Sequence, residues 1–180
     1  TELANYGENV EEGADLHYPG SGDYIYGLRG DNTTTFKRYC FQDTGSGCTV
    51  DTWETLATTP AGVRAGGAIT SIGGTTIYAL RGNDTGDFWT YDIATNQWNT
   101  RVADPTDTPE IVASGGDLVT YDNGTPGNST DDIIYAIRGA NSSIFWSYDP
   151  NTNIWTYEAY APFAMSASSA TITEYGGMTY

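Results

Sequence analysis

The first residues of this chain that could do chemistry are its only two cysteines. Cys40 and Cys48 flank the seven-residue stretch "FQDTGSG". An even pair around a short loop favours a loop-closing disulfide, which would contribute about 2 to 3 kcal/mol. Disulfides persist in oxidising compartments, so the pair indicates export. Without a cluster of histidines, two cysteines do not supply a structural zinc site.

Five asparagines stand in Asn-x-Ser/Thr sequons, at Asn32, Asn83, Asn123, Asn128 and Asn141. Three of them, Asn32, Asn83 and Asn141, follow an Arg-Gly pair by one or two residues, at a predicted turn tip between a second and a third strand. We predict glycosylation at all five, on both faces of the molecule. The alternative for the three turn positions is that asparagine stands there for backbone reasons alone.

The loop "YDNGTPGNSTDD" offers Asp122, Asp131 and Asp132 as oxygen ligands for calcium. Because the loop lacks the ordered carboxylate spacing and terminal Glu of known calcium loops, a solvated acidic turn is the alternative. His17 is the only histidine, and we interpret it as a surface or hydrogen-bonded residue. We therefore predict no catalytic residue and no cofactor in these residues, although paired carboxylates for glycoside hydrolysis stay open.

The charge balance is strongly acidic, with 23 Asp and Glu against 7 Lys and Arg and a net charge of −16. Such a surface repels nucleic acid and anionic membranes, which need cations to neutralise phosphate. No run of 18 apolar residues is present, so we predict no membrane insertion. The 22 Gly, 14 Tyr and 5 Trp are typical of strands and turns rather than helices.

These residues are arranged in a repeat. The stretches "IYGLRGDNTTTFKRY", "IYALRGNDTGDFWTY" and "IYAIRGANSSIFWSY" begin at Ile25, Ile77 and Ile134 and align without a gap. Each is followed by a tryptophan and, seven residues later, by a proline. The tryptophans are Trp53, Trp98 and Trp155, and the prolines are Pro60, Pro105 and Pro162. A period near fifty residues indicates a repeat architecture.

The middle copy contains four strand-like runs, "GGAITSIG", "TTIYALRG", "DFWTYDI" and "QWNTRVA". The second run is apolar on both faces, since Ile77 and Ala79 point one way and Tyr78 and Leu80 the other. A strand of this kind must be covered twice. We therefore predict four-stranded antiparallel sheets, each packed between its neighbours, in an all-β protein.

The repeats resemble kelch motifs. The stretch "YDPNTNIW" from Tyr148 is close to the Tyr-Asp-Pro-x-Thr-x-x-Trp pattern of that family, and "WETLATTPAGVRAGG" from Trp53 carries its Trp, Leu, Pro and Arg spacing. One departure recurs, because Arg-Gly stands where the family has Gly-Gly. The resemblance implies a β-propeller and leaves the function open, because the family includes scaffolds, adaptors and a few enzymes. Family enzymes of the copper-radical oxidase type need histidine ligands that are missing here.

The recurring arginines are Arg29, Arg81 and Arg138. A cationic arc for an anionic ligand is one interpretation. The alternative, which we favour, is structural, because ligand sites usually break a repeat. In that case, the guanidinium groups are expected to stack on Trp89 and Trp146 or to pair with Asp92 and Asp149.

The predicted organisation is a kelch-like propeller segment of about three complete blades, at 10–59, 60–107 and 108–163, with partial blades at 1–9 and 164–180. A segment of this kind leaves blade faces bare, so we expect it to be part of a longer chain, with further blades of that chain or other copies of itself as partners. The predicted function is that of an exported, glycosylated structural or adhesive protein in an extracellular layer, appendage or filament at the cell surface. The alternative is a module of a larger secreted enzyme that binds carbohydrate or a cell-surface protein.

Overall fold

The computed structural model describes residues 3–99, 105–125 and 127–165. Across these three ranges the chain has twelve β-strands and no helix. Within them, accordingly, there is no helix long and apolar enough to cross a membrane. The all-β prediction is confirmed.

The strands form three four-stranded sheets in chain order. The first sheet contains β1 (Asp15–His17), β2 (Tyr24–Leu28), β3 (Phe36–Cys40) and β4 (Thr52–Thr55). The second contains β5 (Ala68–Ile72), β6 (Thr76–Leu80), β7 (Phe88–Asp92) and β8 (Gln97–Trp98). The third contains β9 (Asp117–Tyr121), β10 (Ile133–Ile137), β11 (Phe145–Asp149) and β12 (Ile154–Tyr157). Within each sheet, every strand pairs antiparallel with the next one along the chain, as short connections require.

The repeated residues form one row across each sheet. In the second sheet Ile77 pairs with Tyr91, and Tyr91 pairs with Trp98. The corresponding rows of the first and third sheets are Ile25, Tyr39 and Trp53, and Ile134, Tyr148 and Trp155. The repeat therefore encodes strand register as well as strand identity.

Two apolar seams hold the sheets face to face. In the first seam, Ile77 and Ala79 of the second sheet pack with residues of the first sheet that include Leu28. In the second seam, Tyr78 and Leu80 pack with residues of the third sheet. All four of these side chains are at most 1% exposed. The prediction that this strand is covered on both faces is confirmed, and the arrangement of blades is propeller-like.

A tight turn joins the second and third strands of every sheet. In the second sheet, Thr85 N–H donates to Gly82 C=O, and the two residues between them, Asn83 and Asp84, have φ of 56°. Gly82 itself has φ of 65°, and a Cβ there would lie 2.3 Å from the carbonyl oxygen of Ala65. A side chain has no room at this position, which explains the glycine of every Arg-Gly pair.

One sequence alignment was wrong in detail. Thr59 Oγ1 donates to Ala61 C=O, and the equivalent bond in the next connector runs from Thr108 Oγ1 to Glu110 C=O. The proline that corresponds to Pro60 is therefore Pro109, not Pro105. The sequence error arose because the connector between the second and third sheets carries extra residues, so constant spacing from tryptophan pointed to the earlier proline.

Candidate assembly interface

A repeated pair of hydrogen bonds, here called the clamp, ties each sheet to the connector that precedes it. In the second sheet, Asn96 Oδ1 accepts the N–H of Ala57 at 2.8 Å, and Trp98 Nε1 donates to the Ala57 carbonyl at 3.0 Å. Tyr91 OH also donates to Asn96 Oδ1, at 2.9 Å. Because Ala57 follows the last strand of the first sheet, the clamp joins two neighbouring sheets.

The clamp occurs three times in the part of the chain that the structure describes. The first set is Ala4, Asp51, Trp53 and Tyr39, and the third is Thr106, Asn153, Trp155 and Tyr148. Asp51, Asn96 and Asn153 all have positive φ, near 60°, a conformation that Asn and Asp tolerate well. Sequence reasoning missed these residues, although the signal was present: an Asp or Asn stands two positions before each repeated tryptophan.

A cluster of aromatic rings fills the space between neighbouring sheets. Phe36 of the first sheet meets Tyr91 and Trp98 of the second, in both cases at 5.0 Å between ring centroids. Phe88 of the second sheet meets Tyr148 at 5.1 Å and Trp155 at 5.0 Å. Edge-on contacts of this kind stabilise beyond area burial, and both phenylalanines are 1% exposed.

The third sheet carries the same phenylalanine, but no described sheet covers it. Phe145 stacks on Tyr135 at 5.3 Å, as Phe88 stacks on Tyr78 at 5.7 Å. We call this surface the back face of the third sheet, and its residues are Val119, Tyr121, Tyr135, Ile137 and Phe145. Tyr121 is 48% exposed, and Phe145, Tyr135 and Val119 are half-buried, whereas Ile137 is 4% exposed.

The repeated arginines are structural, as predicted, but their partners differ from the prediction. Arg81 Nε donates to the carbonyl of Gly62 at 3.0 Å, and its Nη1 pairs with Asp87 at 2.7 Å. Arg29 and Arg138 donate in the same way to the carbonyls of Asn9 and Ile111. Pairing with Asp92 or Asp149 was wrong, because those carboxylates accept hydrogen bonds within their own turns.

Every lysine and arginine in the described ranges is paired with a carboxylate. The pairs are Arg29–Glu8, Lys37–Glu8, Arg38–Glu54, Arg64–Glu12, Arg81–Asp87 and Arg138–Glu110. Arg101 lies outside the described residues. The exposed charge that is left uncompensated in this part of the chain is therefore negative.

The predicted disulfide is present between Cys40 and Cys48, whose Cα atoms are 6.3 Å apart. It closes a loop whose Thr44 donates two hydrogen bonds to Asp23, from N–H at 3.0 Å and from Oγ1 at 2.6 Å. These bonds, with further bonds from Ser46, lower the pKa of Asp23 to about 2. The disulfide indicates an oxidising environment outside the cytosol.

The five sequon asparagines lie in turns and loops. Asn32, Asn123, Asn128 and Asn141 are exposed, whereas Asn83 is half-buried. Asn83 Nδ2 donates to Asn32 Oδ1 at 3.4 Å, so these two sequons are direct neighbours on adjacent sheets. Glycosylation at the five positions stays a prediction.

The three calcium candidates occupy the β9–β10 loop but do not gather around one point. Asp131 accepts Thr125 Oγ1 at 3.0 Å, and Asp122 accepts the N–H of Gly124 at 2.9 Å. Asp132 is 7% exposed, and burial followed by repulsion from Asp131 and Asp122 raises its pKa. Among the described residues, the one group of three potential ligands within 4.8 Å is Asp23, Asp43 and the disulfide-bonded Cys48. Calcium binding at Asp122, Asp131 and Asp132 stays a prediction.

A polar cluster that the sequence did not reveal links the first strands of the sheets. His17 Nε2 lies 2.8 Å from Ser71 Oγ, and Asp15 Oδ2 accepts the N–H of Ile69 at 2.8 Å. Burial lowers the pKa of His17 to about 4 and raises that of Asp15 to about 6. In the described residues no carboxylate hydrogen-bonds to His17, so the third member of a catalytic triad is missing. His17 is thus a hydrogen-bonded histidine, as the sequence predicted.

Comparisons with known proteins support the fold alone. No family model matches the chain, and no match was found among curated proteins. Solved structures do resemble it. One, titled "Structure of YjhT", has a TM-score of 0.62 and 15% sequence identity over 89% of this chain. The chain spans about half of that protein, 54% of its length.

Proposed function

We propose that these residues are part of an exported, glycosylated kelch-type propeller with a structural or adhesive role in an extracellular layer, appendage or filament at the cell surface. One observation carries the proposal. The back face of the third sheet repeats the aromatic surface that is buried twice within the chain, and its aromatic residues stay partly exposed because no described sheet packs on them. Exposed apolar surface of this kind marks an interaction site. In this proposal, neighbouring sheets join here and these residues perform no catalysis.

The disulfide and the exposed sequons support an extracellular location. Asn123 and Asn128 lie in the β9–β10 loop, and Asn32 and Asn141 lie in turns at the opposite ends of their sheets, so glycans would leave the sheet faces free for assembly. The paired cations support partners other than nucleic acid or an anionic membrane, because no described cation is left to bind phosphate.

A second candidate is a carbohydrate- or protein-binding module of a larger secreted enzyme. Three aromatic residues that follow the last sheet or end it favour this function: Tyr157, Tyr160 and Phe163 are 55%, 76% and 67% exposed. Exposed aromatic rings provide flat apolar surface on which sugars can stack.

The test uses native material from the source organism and a recombinant 180-residue chain. Intact mass before and after enzymatic removal of N-glycans measures sequon occupancy, and negative-stain images show whether the native protein forms ordered polymers. Polymers with glycans support the structural role. Dispersed, glycan-free particles contradict it, and binding of the recombinant chain to a glycan array would favour the second candidate.

A further inference from the structure

Tyr6 occupies a place on the first sheet that a neighbouring sheet fills elsewhere. The ring of Tyr6 lies 4.7 Å from that of Trp53, with an interplanar angle of 64°. Phe36 meets Trp98, and Phe88 meets Trp155, in both cases at 5.0 Å and 64°. Those phenylalanines come from the preceding sheet, whereas Tyr6 comes from the segment before β1. Tyr6 thus stands in for a phenylalanine of a preceding sheet.

The first sheet is adapted to hold this ring. Gly27 pairs with Lys37 in the first sheet. At the same two positions the second and third sheets both have an alanine paired with a tryptophan. Lys37 Nζ donates to the carbonyl of Tyr6 at 2.9 Å and lies 4.6 Å from its ring centroid. A Cβ on Gly27 would lie 2.9 Å from Leu16 Cδ2 and 3.3 Å from Tyr6 Cε2. The smaller residue leaves the space that the tyrosine fills.

Tyr6 covers this face only in part. Leu16 is 62% exposed, although the equivalent residues of the other sheets, Ile69 and Leu118, are 3% and 5% exposed. Ile25 is half-buried, whereas Ile77 is fully buried. A larger apolar surface, such as the back face of a sheet, would complete the coverage.

The other end of the chain carries the matching half of this interface. Phe145 stacks on Tyr135 in the third sheet. The equivalent stacked pairs of the first and second sheets are each buried by the sheet that follows. Ala159 lies six residues before the bridge residue Met165, as Ala57 lies six residues before the bridge residue Val63. Ala159 is exposed and in the position of a clamp acceptor.

The two ends also differ from the inner sheets in charged residues, although Lys37 at one end already pairs with Glu8 of its own chain. Lys37 replaces a tryptophan on the first sheet, and Glu158 of the third-sheet connector stands where the first connector has Leu56. Leu56 N–H donates to Phe36 C=O, and Glu158 N–H donates to Phe145 C=O, which fixes this equivalence. One end therefore has an added cation and the other an added anion.

We propose that two copies of this chain associate head to tail, with Phe145 of one copy replacing Tyr6 on Trp53 of the next. This inference rests on the proposed function and names its partner. Ala159 replaces Ala4 in the clamp, and the back face of the third sheet covers Leu16 and Ile25. Because the two surfaces differ, the contact is heterologous and generates a ring or an open filament.

Tyr6 limits this association, because it must leave Trp53 before Phe145 of another copy can bind there. The exchange of Tyr6 for Phe145 and of Ala4 for Ala159 therefore gives little net gain in contacts. The net charge of −16 per chain opposes it further, and salt screens that repulsion. The wild-type chain is therefore expected to associate weakly, and more strongly as the salt concentration rises.

Sedimentation velocity of the 180-residue chain, at low and high salt, tests the inference. Tyr6→Ala is expected to raise the association constant at least about tenfold, because the competing ring is lost. Gly27→Ala introduces the alanine of the inner sheets and crowds both Leu16 and Tyr6, so it is also expected to raise the association constant. Phe145→Ala is expected to abolish association in each background. Tyr18→Ala, which removes a 41% exposed tyrosine that packs on Phe41, is the matched control and should change nothing.

Circular dichroism of each variant checks that the β-structure is retained. Folded Tyr6→Ala and Gly27→Ala variants that stay monomeric at high salt would overturn the inference, as would association that is insensitive to Phe145→Ala. Burial of Phe145 by residues 166–180 of the same chain would also overturn it. If native material nevertheless forms polymers, the proposed function stands with a different partner, whereas monomeric native material would contradict both.

Discussion

Phe88 and Phe145 occupy the same position of the repeat and differ mainly in whether a described sheet packs against them. Phe88 is 1% exposed and contacts Tyr148 and Trp155 of the third sheet, while in the described residues Phe145 stacks on Tyr135 of its own sheet and no following sheet covers it. Phe88→Ala removes a fully buried ring from a packed seam, which costs about 3 to 5 kcal/mol. We expect Phe145→Ala to cost less than Phe88→Ala, about 1.5 kcal/mol, because Phe145 is only half-buried and no described sheet packs against it.

The assay is urea unfolding followed by tryptophan fluorescence, at a protein concentration low enough to keep the chain monomeric. Phe36→Ala serves as a second inner-seam variant and should resemble Phe88→Ala, since Phe36 has the same two kinds of neighbour. Equal losses of stability for Phe88→Ala and Phe145→Ala would refute the reasoning, because the following sheet would then contribute nothing.

Three further results are expected. Asn96→Ala should lower the free energy of unfolding by about 1 to 3 kcal/mol, because the N–H of Ala57 loses its acceptor; urea unfolding measures this. With the pKa of His17 lowered from 6.5 to about 4 and that of Asp15 raised from 3.8 to about 6, His17 weakens the fold as pH falls from 6.5 to 4, and Asp15 weakens it as pH rises from 4 to 6. In the His17→Gln variant only Asp15 is left to titrate, so its free energy of unfolding should fall by at most about 3 kcal/mol as the pH rises from 4 to 6. In the Asp15→Asn variant only His17 is left, so the free energy of unfolding should rise over the same range. A free energy of unfolding that does not depend on pH in both variants would contradict this. Reduction of the disulfide should cost about 2 to 3 kcal/mol, and a Cys48→Ala variant should be insensitive to the reductant.

Much of the fold could be predicted because the repeat places each residue type in a fixed environment. The double-sided burial of β6 follows from four consecutive apolar residues, and the structure places Ile77 and Tyr78 in different seams. Such features are local in sequence, so one copy of the repeat is enough to reveal them.

Features that depend on contacts between sheets were harder to predict. The partner of Arg81 is a backbone carbonyl in the preceding connector, and carbonyls carry no sequence signal. Tyr6 fits its place because the first sheet has Gly27 and Lys37 where the other sheets have alanine and tryptophan. These two replacements can be interpreted only when the three sheets are compared in structure. Connector length also varies, which displaced the assignment from Pro109 to Pro105.

The claim that the back face of the third sheet is a surface for joining can be tested by hydroxyl-radical footprinting of native material, with the isolated 180-residue chain as reference. We predict that Tyr135 and Phe145 are protected in the native material to the same degree as Tyr78 and Phe88, and oxidised in the isolated chain at low concentration. Oxidation of Tyr135 and Phe145 to the same extent in both samples would contradict the account.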